Sequence, residues 1–273
     1  MQNLSTLKRP HWSFSSINQI LNICSLQYFY QRVERLEAEF TPLPLSFGSA
    51  IHRALEYINE CRMEPGPLGL REDDGRELFA GLWRRQIEQD GNINFDEKNS
   101  PASCEEQGRE LVACYLGNID PQETVLGVNE TFAIPITDRE GESLEKPLIG
   151  EIDCVVAKDG QPVLIDWKTA ACRWPQSKAD KSLQATAYSY AYSRLHSFGL
   201  VGFRFDVLVK NKTPVFQQLE TRRDGDDVHR FVELVKQAER IVEHGLYYPS
   251  EHGFACGGCQ FASQCRAWHR KAA

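Results

Sequence analysis

Asp153, Asp166 and Lys168 lie on the two arms of a predicted β-hairpin. Asp159 and Gly160 between the arms are typical of a two-residue hairpin turn, so the two aspartates can face each other. Asp166 and Lys168 are two residues apart and project from the same face of their strand. Carboxylates that share a site repel each other unless a cation joins them, and their oxygens suit magnesium or manganese. A lysine beside such a cation can orient a water or stabilise an anion, which is the chemistry of metal-assisted phosphodiester hydrolysis.

Four further residues could belong to the same site. His52 lies beside the apolar stripe of a helix predicted to open at Gly48, and Glu130 lies in a predicted strand. Gln184 and Tyr188 are spaced so that they share one face of a predicted helix. Each also has an ordinary interpretation, as a packed histidine, an exposed acid or the polar side of an amphipathic helix. Their order along the chain, more than any one of them, favours the functional interpretation.

The order of these residues resembles the RecB-type nuclease branch of the PD-(D/E)xK superfamily, from about Ser13 to Cys265. The resemblance implies that a divalent metal would be held by His52, Asp153, Asp166 and the main-chain carbonyl of Trp167. It implies that Lys168 acts with the two aspartates in catalysis, positioning or activating the water and steadying the phosphate. Glu130 matches a less constant acidic position and is an alternative metal ligand. Gln184 and Tyr188 would contact the DNA backbone or support the lysine, and no core motif departs from the family pattern.

The nine cysteines are unevenly distributed along the chain. Three are clustered near the C-terminus, at Cys256, Cys259 and Cys265, and Gly257 and Gly258 allow the chain to wrap around a bound centre. Clustered cysteines in a cytosolic protein indicate metal binding, because disulfides are rare there. A tetra-cysteinyl site needs a fourth thiolate, for which the best candidate is Cys24 on a predicted N-terminal helix. We interpret the five isolated cysteines as small buried hydrophobes: Cys61, Cys104, Cys114, Cys154 and Cys172.

One remote cysteine followed by a C-terminal triplet resembles the iron–sulfur members of the RecB-type nucleases. These include the AddB-type nuclease domain and the CRISPR-associated RecB-like exonuclease. The resemblance implies a [4Fe–4S] cluster that joins the two ends of the domain around a DNA channel. Zinc is the alternative, although structural zinc sites usually show two close ligand pairs and only one is present. His252 and His269 flank the triplet and are alternative ligands.

Composition fits a globular protein. The chain has 273 residues, 41% of them hydrophobic, and a net charge of −7. This charge argues against tight nonspecific coating of DNA but not against a nuclease, because bound metal ions invert the local charge. The N-terminus lacks an apolar secretory segment, and no run approaches the ~18 apolar residues of a membrane span. We therefore expect a cytoplasmic protein with no membrane partner.

A basic strip follows the predicted catalytic strand: Lys168, Arg173, Lys178 and Lys181. Surface lysines often do no more than bind water, so contact with phosphates is one of two open interpretations. Arg173, Lys178 and the neighbouring Trp174 are additional candidates for DNA binding. Trp174 lies in a polar loop, where its ring could stack on a base.

The order of predicted elements is typical of an α/β protein with a mixed central sheet flanked by helices. With the resemblance, it implies a restriction-endonuclease-like core within one domain, residues 1–273. That domain would comprise a mainly helical part (1–120), a catalytic sheet with a bridging helix (121–222), and a C-terminal helix with the cysteine cluster (223–273). A serine N-cap near Ser13 should begin the first helix, Thr41–Leu45 should be an extended linker, and residues 181–198 should be one helix.

These features predict a metal-dependent DNA exonuclease that acts on single-stranded ends. The alternatives are a structure-specific or nicking endonuclease and a noncatalytic DNA-binding subunit of a larger assembly. No Gly-x4-Gly-Lys-[Ser/Thr] phosphate loop occurs, so unwinding would require a helicase partner. The sequence does not indicate polarity or oligomeric state. It leaves open DNA repair, phage DNA processing and antiviral defence with a CRISPR adaptation partner.

Overall fold

The computed structural model describes residues 10–66, 69–250 and 254–271. The first elements are, in order, β1 (Trp12–Ser13), α1 (Phe14–Asn18), a π-helical turn (Gln19–Ile23), α2 (Ser25–Tyr28) and a second π-helical turn (Phe29–Val33). The expected serine cap is present, because the Ser13 hydroxyl accepts a hydrogen bond from the Ser16 main-chain N–H at 3.2 Å.

Three long helices follow: α3 (Leu43–Met63), α4 (Glu72–Asp90) and α5 (Pro101–Leu116). The short strands β2 (Thr41–Pro42) and β3 (Ile93–Asn94) pair with each other beside them. The prediction of an extended linker through Leu45 was wrong, since α3 already begins at Leu43. Pro44 is tolerated there because the first turn of a helix has no partner for its N–H.

Within the described residues, six strands form the central sheet. Besides β1, they are β4 (Thr124–Ile134), β5 (Leu148–Lys158), β6 (Gln161–Ala170), β7 (Gly202–Val209) and β8 (Val215–Thr221). Neighbours along the order β4-β5-β6-β7-β8 are antiparallel, except that β6 and β7 are parallel. The mixed sheet expected from the sequence is therefore confirmed.

The parallel connection from β6 to β7 runs through α6 (Gln176–Asp180) and α7 (Leu183–His196). The helix predicted over residues 181–198 corresponds to α7, which Ser182 caps, its hydroxyl accepting from the Ala185 N–H at 3.4 Å. The short α6 was not predicted. The last elements are α8 (Gly225–Glu243), a 3₁₀ turn (Phe254–Gly258) and α9 (Ala262–Lys271).

The strand pair β5–β6 separates into a fork. Its pairing extends from the Asp159–Gly160 turn to Cys154 opposite Ile165 and ends there. Beyond that point β1 runs beside β5, with Trp12 opposite Leu148. Since β4 already occupies the other edge of β5, β1 takes the edge that β6 leaves. The fork exposes strand positions that would otherwise be paired.

Helices cover both faces of the sheet. One core packs α7, α8 and the N-terminal helix against it, with Ile17, Leu164, Phe203 and Phe231 fully buried. The other packs α3, α4 and α5, with Leu55, Trp83 and Trp167 fully buried. A third, small cluster joins Leu26 and Tyr30 to Phe261 near the C-terminus. None of the described helices is both long and apolar enough to cross a membrane.

Candidate active site

The β5–β6 fork brings Asp153 and Asp166 together. Each is the next residue beyond the last strand pair, Cys154 opposite Ile165. Asp153 compensates for the lost pairing, because its Oδ2 accepts a hydrogen bond from the Trp167 main-chain N–H at 2.8 Å. The facing arrangement that the hairpin pattern predicted is therefore present, at the position where the sheet opens.

Asp166 is buried, with 2% of its surface exposed. Gln184 donates to its Oδ1 at 2.5 Å, and the Lys168 ammonium forms an ion pair with its Oδ2. Among the described residues, Oδ2 has no partner besides this ion pair. Burial raises the pKa of Asp166 to about 6, and the negative charge of Asp153 adds to the effect against the opposing influence of Lys168. A metal ion bound at Oδ2 would offset both the cost of burying the carboxylate and its repulsion from Asp153.

His52 reaches Asp153 from α3, which lies in the layer of α3, α4 and α5 on one face of the sheet. Its Nδ1 lies 3.4 Å from Asp153 Oδ2. Its ring packs in a T-shaped arrangement with Trp167, with the ring centres 5.9 Å apart. Burial acts to lower the pKa of His52, but the hydrogen bond and charge of Asp153 outweigh it and raise that pKa. Burial likewise acts to raise the pKa of Asp153, but His52, Lys168 and the Trp167 N–H together outweigh burial, and the net shift is downward.

Gln184 and Tyr188 come to the site from α7, as the sequence predicted. Gln184 contacts Asp166 directly, while the Tyr188 ring packs edge-on against Phe132 at 5.6 Å. Burial, followed by the charge of Asp166, raises the pKa of Tyr188. Its phenol therefore stays protonated and can donate a hydrogen bond near the two aspartates.

Glu130 is not brought to the two aspartates. It lies opposite Ile152, whose side chain packs in the core beneath α7, and its carboxylate pairs with His196 at the end of that helix. No hydrogen bond or ion pair within the described residues joins it to Asp153 or Asp166. The alternative of Glu130 as a metal ligand is thus not supported by its position.

Two acids near the site were missed from the sequence. Burial and then the charge of Asp153 raise the pKa of Glu151, two residues earlier on β5. Burial and then the charges of Glu60 and Glu151 raise the pKa of Glu56, one turn after His52. The spacings His52-x3-Glu56 and Glu151-x-Asp153 carried the signal, because each places an acid on the same side of its element as a predicted ligand.

The donor set at the fork fits a hard divalent cation. It offers carboxylate oxygens and an imidazole nitrogen, and one buried oxygen, Asp166 Oδ2, lacks a hydrogen-bond partner. These side chains do not yet surround a common metal position. Across the ranges that the structure describes, no group of three or more His, Cys, Asp or Glu residues is arranged to hold a metal ion.

Trp174 is not a free platform for a base. The Lys178 ammonium lies 3.7 Å from the centre of its ring, which also packs against Phe205 at 5.4 Å. Gln217 holds its main chain by accepting from the N–H at 2.9 Å and donating to the carbonyl at 2.8 Å. Arg173 and Lys178 are exposed beside it, so the strip offers charge more readily than stacking.

The four predicted cysteine ligands line one cavity. Its volume is about 220 Å³, and it contains Cys24, Cys256, Cys259 and Cys265 together with Gln27 and His269. Burial raises the pKa of the Cys259 and Cys265 thiols. His252, the other alternative ligand, lies outside the described residues. Of the isolated cysteines, Cys172 is exposed, so its interpretation as a buried hydrophobe was wrong.

Comparisons with known proteins give one family match and two structural alignments. The family model described as PD-(D/E)XK nuclease superfamily matches residues 11–266. Among solved structures, a "Putative exonuclease" from Eubacterium rectale aligns with a TM-score of 0.53 at 13% identity, covering 94% of this chain and 87% of that one. The structure of SSO0001 aligns with a TM-score of 0.37 at 12% identity, over 89% and 94% of the two chains. No curated protein matches the chain.

Proposed function

The chain belongs to the PD-(D/E)XK nuclease superfamily, and we propose that it is a metal-dependent deoxyribonuclease that degrades DNA from single-stranded ends. The observation that carries the proposal is the pair Asp153 and Asp166 at the strand fork, with Lys168 against Asp166. The Eubacterium rectale protein of similar fold is named an exonuclease, which directs the first test to DNA ends. Such ends would be supplied by a partner that unwinds duplex DNA, either a helicase or a CRISPR adaptation complex.

His52, Asp153, Asp166 and the Trp167 carbonyl would hold a magnesium or manganese ion. When bound, the ion supplies Lewis acidity at the scissile phosphate and lowers the pKa of a bound water. Gln184 donates to one oxygen of Asp166, and the other oxygen pairs with the Lys168 ammonium. Lys168 stays beside that oxygen, where its ammonium can orient the attacking water and stabilise negative charge on the phosphate.

We further propose that Cys24, Cys256, Cys259 and Cys265 hold a [4Fe–4S] cluster, with zinc as the alternative. Four thiols around one cavity of about 220 Å³ support this assignment. Iron and acid-labile sulfide in anaerobically purified protein would support the cluster, and zinc without sulfide would replace it.

The nuclease proposal is tested with end-labelled linear single-stranded DNA and Mn²⁺. Anaerobically purified protein should degrade the linear strand and leave a closed circle of the same sequence intact. The Lys168→Ala variant should bind the linear strand and not cut it. The length of the first labelled product gives the polarity.

Other outcomes would point to other functions. Cleavage of the closed circle would replace the exonuclease proposal with an endonuclease. Binding without cleavage of either substrate, in protein whose cysteine centre is loaded, would instead indicate a noncatalytic DNA-binding subunit.

A further inference from the structure

Gln27 contacts two of the four cysteines that line the cavity. Its main-chain N–H donates to Cys24 Sγ at 3.4 Å, and its side-chain Nε2 donates to Cys259 Sγ at 3.8 Å. The two sulfurs come from opposite ends of the chain, since 235 residues of sequence number separate 24 from 259. One residue thus donates hydrogen bonds to both parts of the cysteine set.

The orientation of the Gln27 amide is fixed by a second glutamine. Gln19 is buried, and its Nε2 donates to Gln27 Oε1 at 3.3 Å and to Gln31 Oε1 at 2.8 Å. Because the oxygen of the Gln27 amide faces this donor, its nitrogen faces Cys259. The buried Gln19 therefore aims a donor at the cavity.

The chain path at Cys24 brings the main-chain donor into place. Cys24 has extended backbone angles (φ −166°, ψ 114°) between the first π-helical turn and α2, and its sulfur caps α2. The next residue, Ser25, is tied to Tyr248 by two hydrogen bonds, of 3.1 and 2.9 Å. The Cys24 thiol also donates to the Tyr248 carbonyl, at 3.8 Å, so contacts with Tyr248 hold the break in the helix.

Cysteines bind metal as thiolates, and N–H groups that point at a thiolate stabilise its negative charge. Hydrogen bonds to ligating sulfurs also help to set the reduction potential of an iron–sulfur cluster.

We propose that Gln27 is a positioning residue of the cysteine centre, donating one hydrogen bond to Cys24 and one to Cys259. This inference rests on the proposed function, in which these cysteines hold a [4Fe–4S] cluster. The side-chain amide holds the C-terminal ligand in register with the N-terminal one and stabilises the negative charge of the bound sulfurs. Its loss weakens metal retention and changes the potential without altering the four ligands.

The test compares Gln27→Leu and Gln27→Glu with Gln31→Leu. Gln31 accepts from the same Gln19 amide and, within the described residues, makes no hydrogen bond to a sulfur, so it serves as the matched control. Iron release to a chelator and the midpoint potential of the cluster are measured on anaerobically purified full-length protein. Circular dichroism confirms that each variant is folded.

Both Gln27 variants should lose retention on the order of tenfold, as is typical for partners of metal ligands. Gln27→Glu should show the larger loss and a lower potential, because a carboxylate adds negative charge beside the sulfurs. Gln31→Leu should match the wild type. Wild-type retention and potential in both Gln27 variants, or equal loss in Gln31→Leu, would overturn the inference while leaving the cluster in place. Wild-type protein without any bound metal would overturn the proposed centre itself, and the inference with it.

Discussion

Asp153 and Asp166 hold matching places on neighbouring strands, yet their surroundings shift their pKa values in opposite directions. For Asp153, burial acts to raise the pKa, but His52, Lys168 and the Trp167 N–H together outweigh burial, and the pKa falls below its usual range. For Asp166, burial dominates and raises the pKa to about 6. Two nearby carboxylates with separated pKa values can hold one proton between them, which keeps the metal-free site from accumulating negative charge.

Metal binding should therefore depend on pH near neutrality. Asp166 must lose its proton and His52 must be neutral to act as ligands, and both groups have raised pKa values. As pH rises through about 6, protons compete less and the apparent affinity for Mn²⁺ should increase. Calorimetric titration of Mn²⁺ at a series of pH values measures this. An affinity independent of pH between 5 and 8 (roughly the range in which histidine and this aspartate titrate) would contradict it.

The same shift has a consequence for stability in the absence of metal. The folded-state pKa of Asp166 lies above its usual value of 3.8, so the folded protein holds this proton more tightly than the unfolded chain. The stability that Asp166 contributes is fully present below that usual value and is lost as pH rises through about 6. Asp153 has the opposite sign, since its lowered pKa contributes stability that is lost as pH falls.

Lys168 should be required for cleavage and not for folding. Its ammonium lies beside Asp166 Oδ2 and is partly exposed. A Lys168→Met side chain therefore fits without burying a new polar group. Loss of one such charge-stabilising donor typically lowers the rate about 10²–10³-fold. Lys158→Met is the matched control, because Lys158 lies on the same hairpin beside its turn and pairs with Glu220. Single-turnover cleavage with saturating DNA would show the difference, and equal rates for both variants would reject this role.

At the scale of elements, the helix pair α4–α5 shows how closely the layer behind the site is packed. Gly108 on α5 lies against Phe79, and a Cβ built there would stand 2.0 Å from the ring. Gly81 on α4 is also helical, but a Cβ there would meet nothing within 4 Å. The two glycines thus form a natural comparison between close packing and free space.

Gly108→Ala should lower the free energy of unfolding by about 1–3 kcal/mol, because the Phe79 ring and its neighbours must shift. Gly81→Ala should raise it by about 0.5–1 kcal/mol, because alanine loses less conformational freedom in a helix. Urea unfolding of metal-free protein measures both. If both substitutions changed stability in the same direction, the packing argument at Gly108 would fail.

Local patterns in the sequence predicted the elements that depend on neighbouring residues. The hairpin turn was readable because Asp159 and Gly160 both take positive φ, of 51° and 73°. The contact of Gln184 with Asp166 was not predicted, because the resemblance assigned Gln184 to the DNA backbone or to support of Lys168. The position of Glu130 was not readable, because alternation along a strand does not say which helix covers each face.

The N-terminal helix was predicted in place but not in form. It contains two π-helical turns, and its break at Cys24 is held by contacts with Tyr248, which lies far away in the sequence. Such contacts leave no periodic signal. The same limit applies to the cavity, since the cysteine spacing indicated a centre but not Gln27, which lines it.

At the scale of the whole molecule, the two ends of the chain meet in a cluster of their own. Leu26 and Tyr30 pack against Phe261, and the Tyr30 hydroxyl donates to the Gln264 carbonyl at 3.2 Å. This cluster is separate from the two large cores on either side of the sheet. The cysteine cavity lies beside this cluster. The small cluster and the cysteine residues together hold the C-terminal segment in place.

Loss of the cysteine centre should therefore loosen the C-terminal segment before it affects the sheet. The small cluster buries few side chains by itself, whereas both large cores are independent of the four cysteines. Cys259→Ala should be colourless, and hydrogen exchange should accelerate at Leu26, Tyr30 and the residues of α9 while β5, β6 and β7 stay protected. Cys172→Ala, at an exposed cysteine outside the cavity, should retain the colour and protection of the wild type. Equal loss of protection across the central strands in Cys259→Ala would mean that the cysteine centre supports the whole fold. Local opening of the small cluster cannot expose the two large cores, because the small cluster shares no side chains with them.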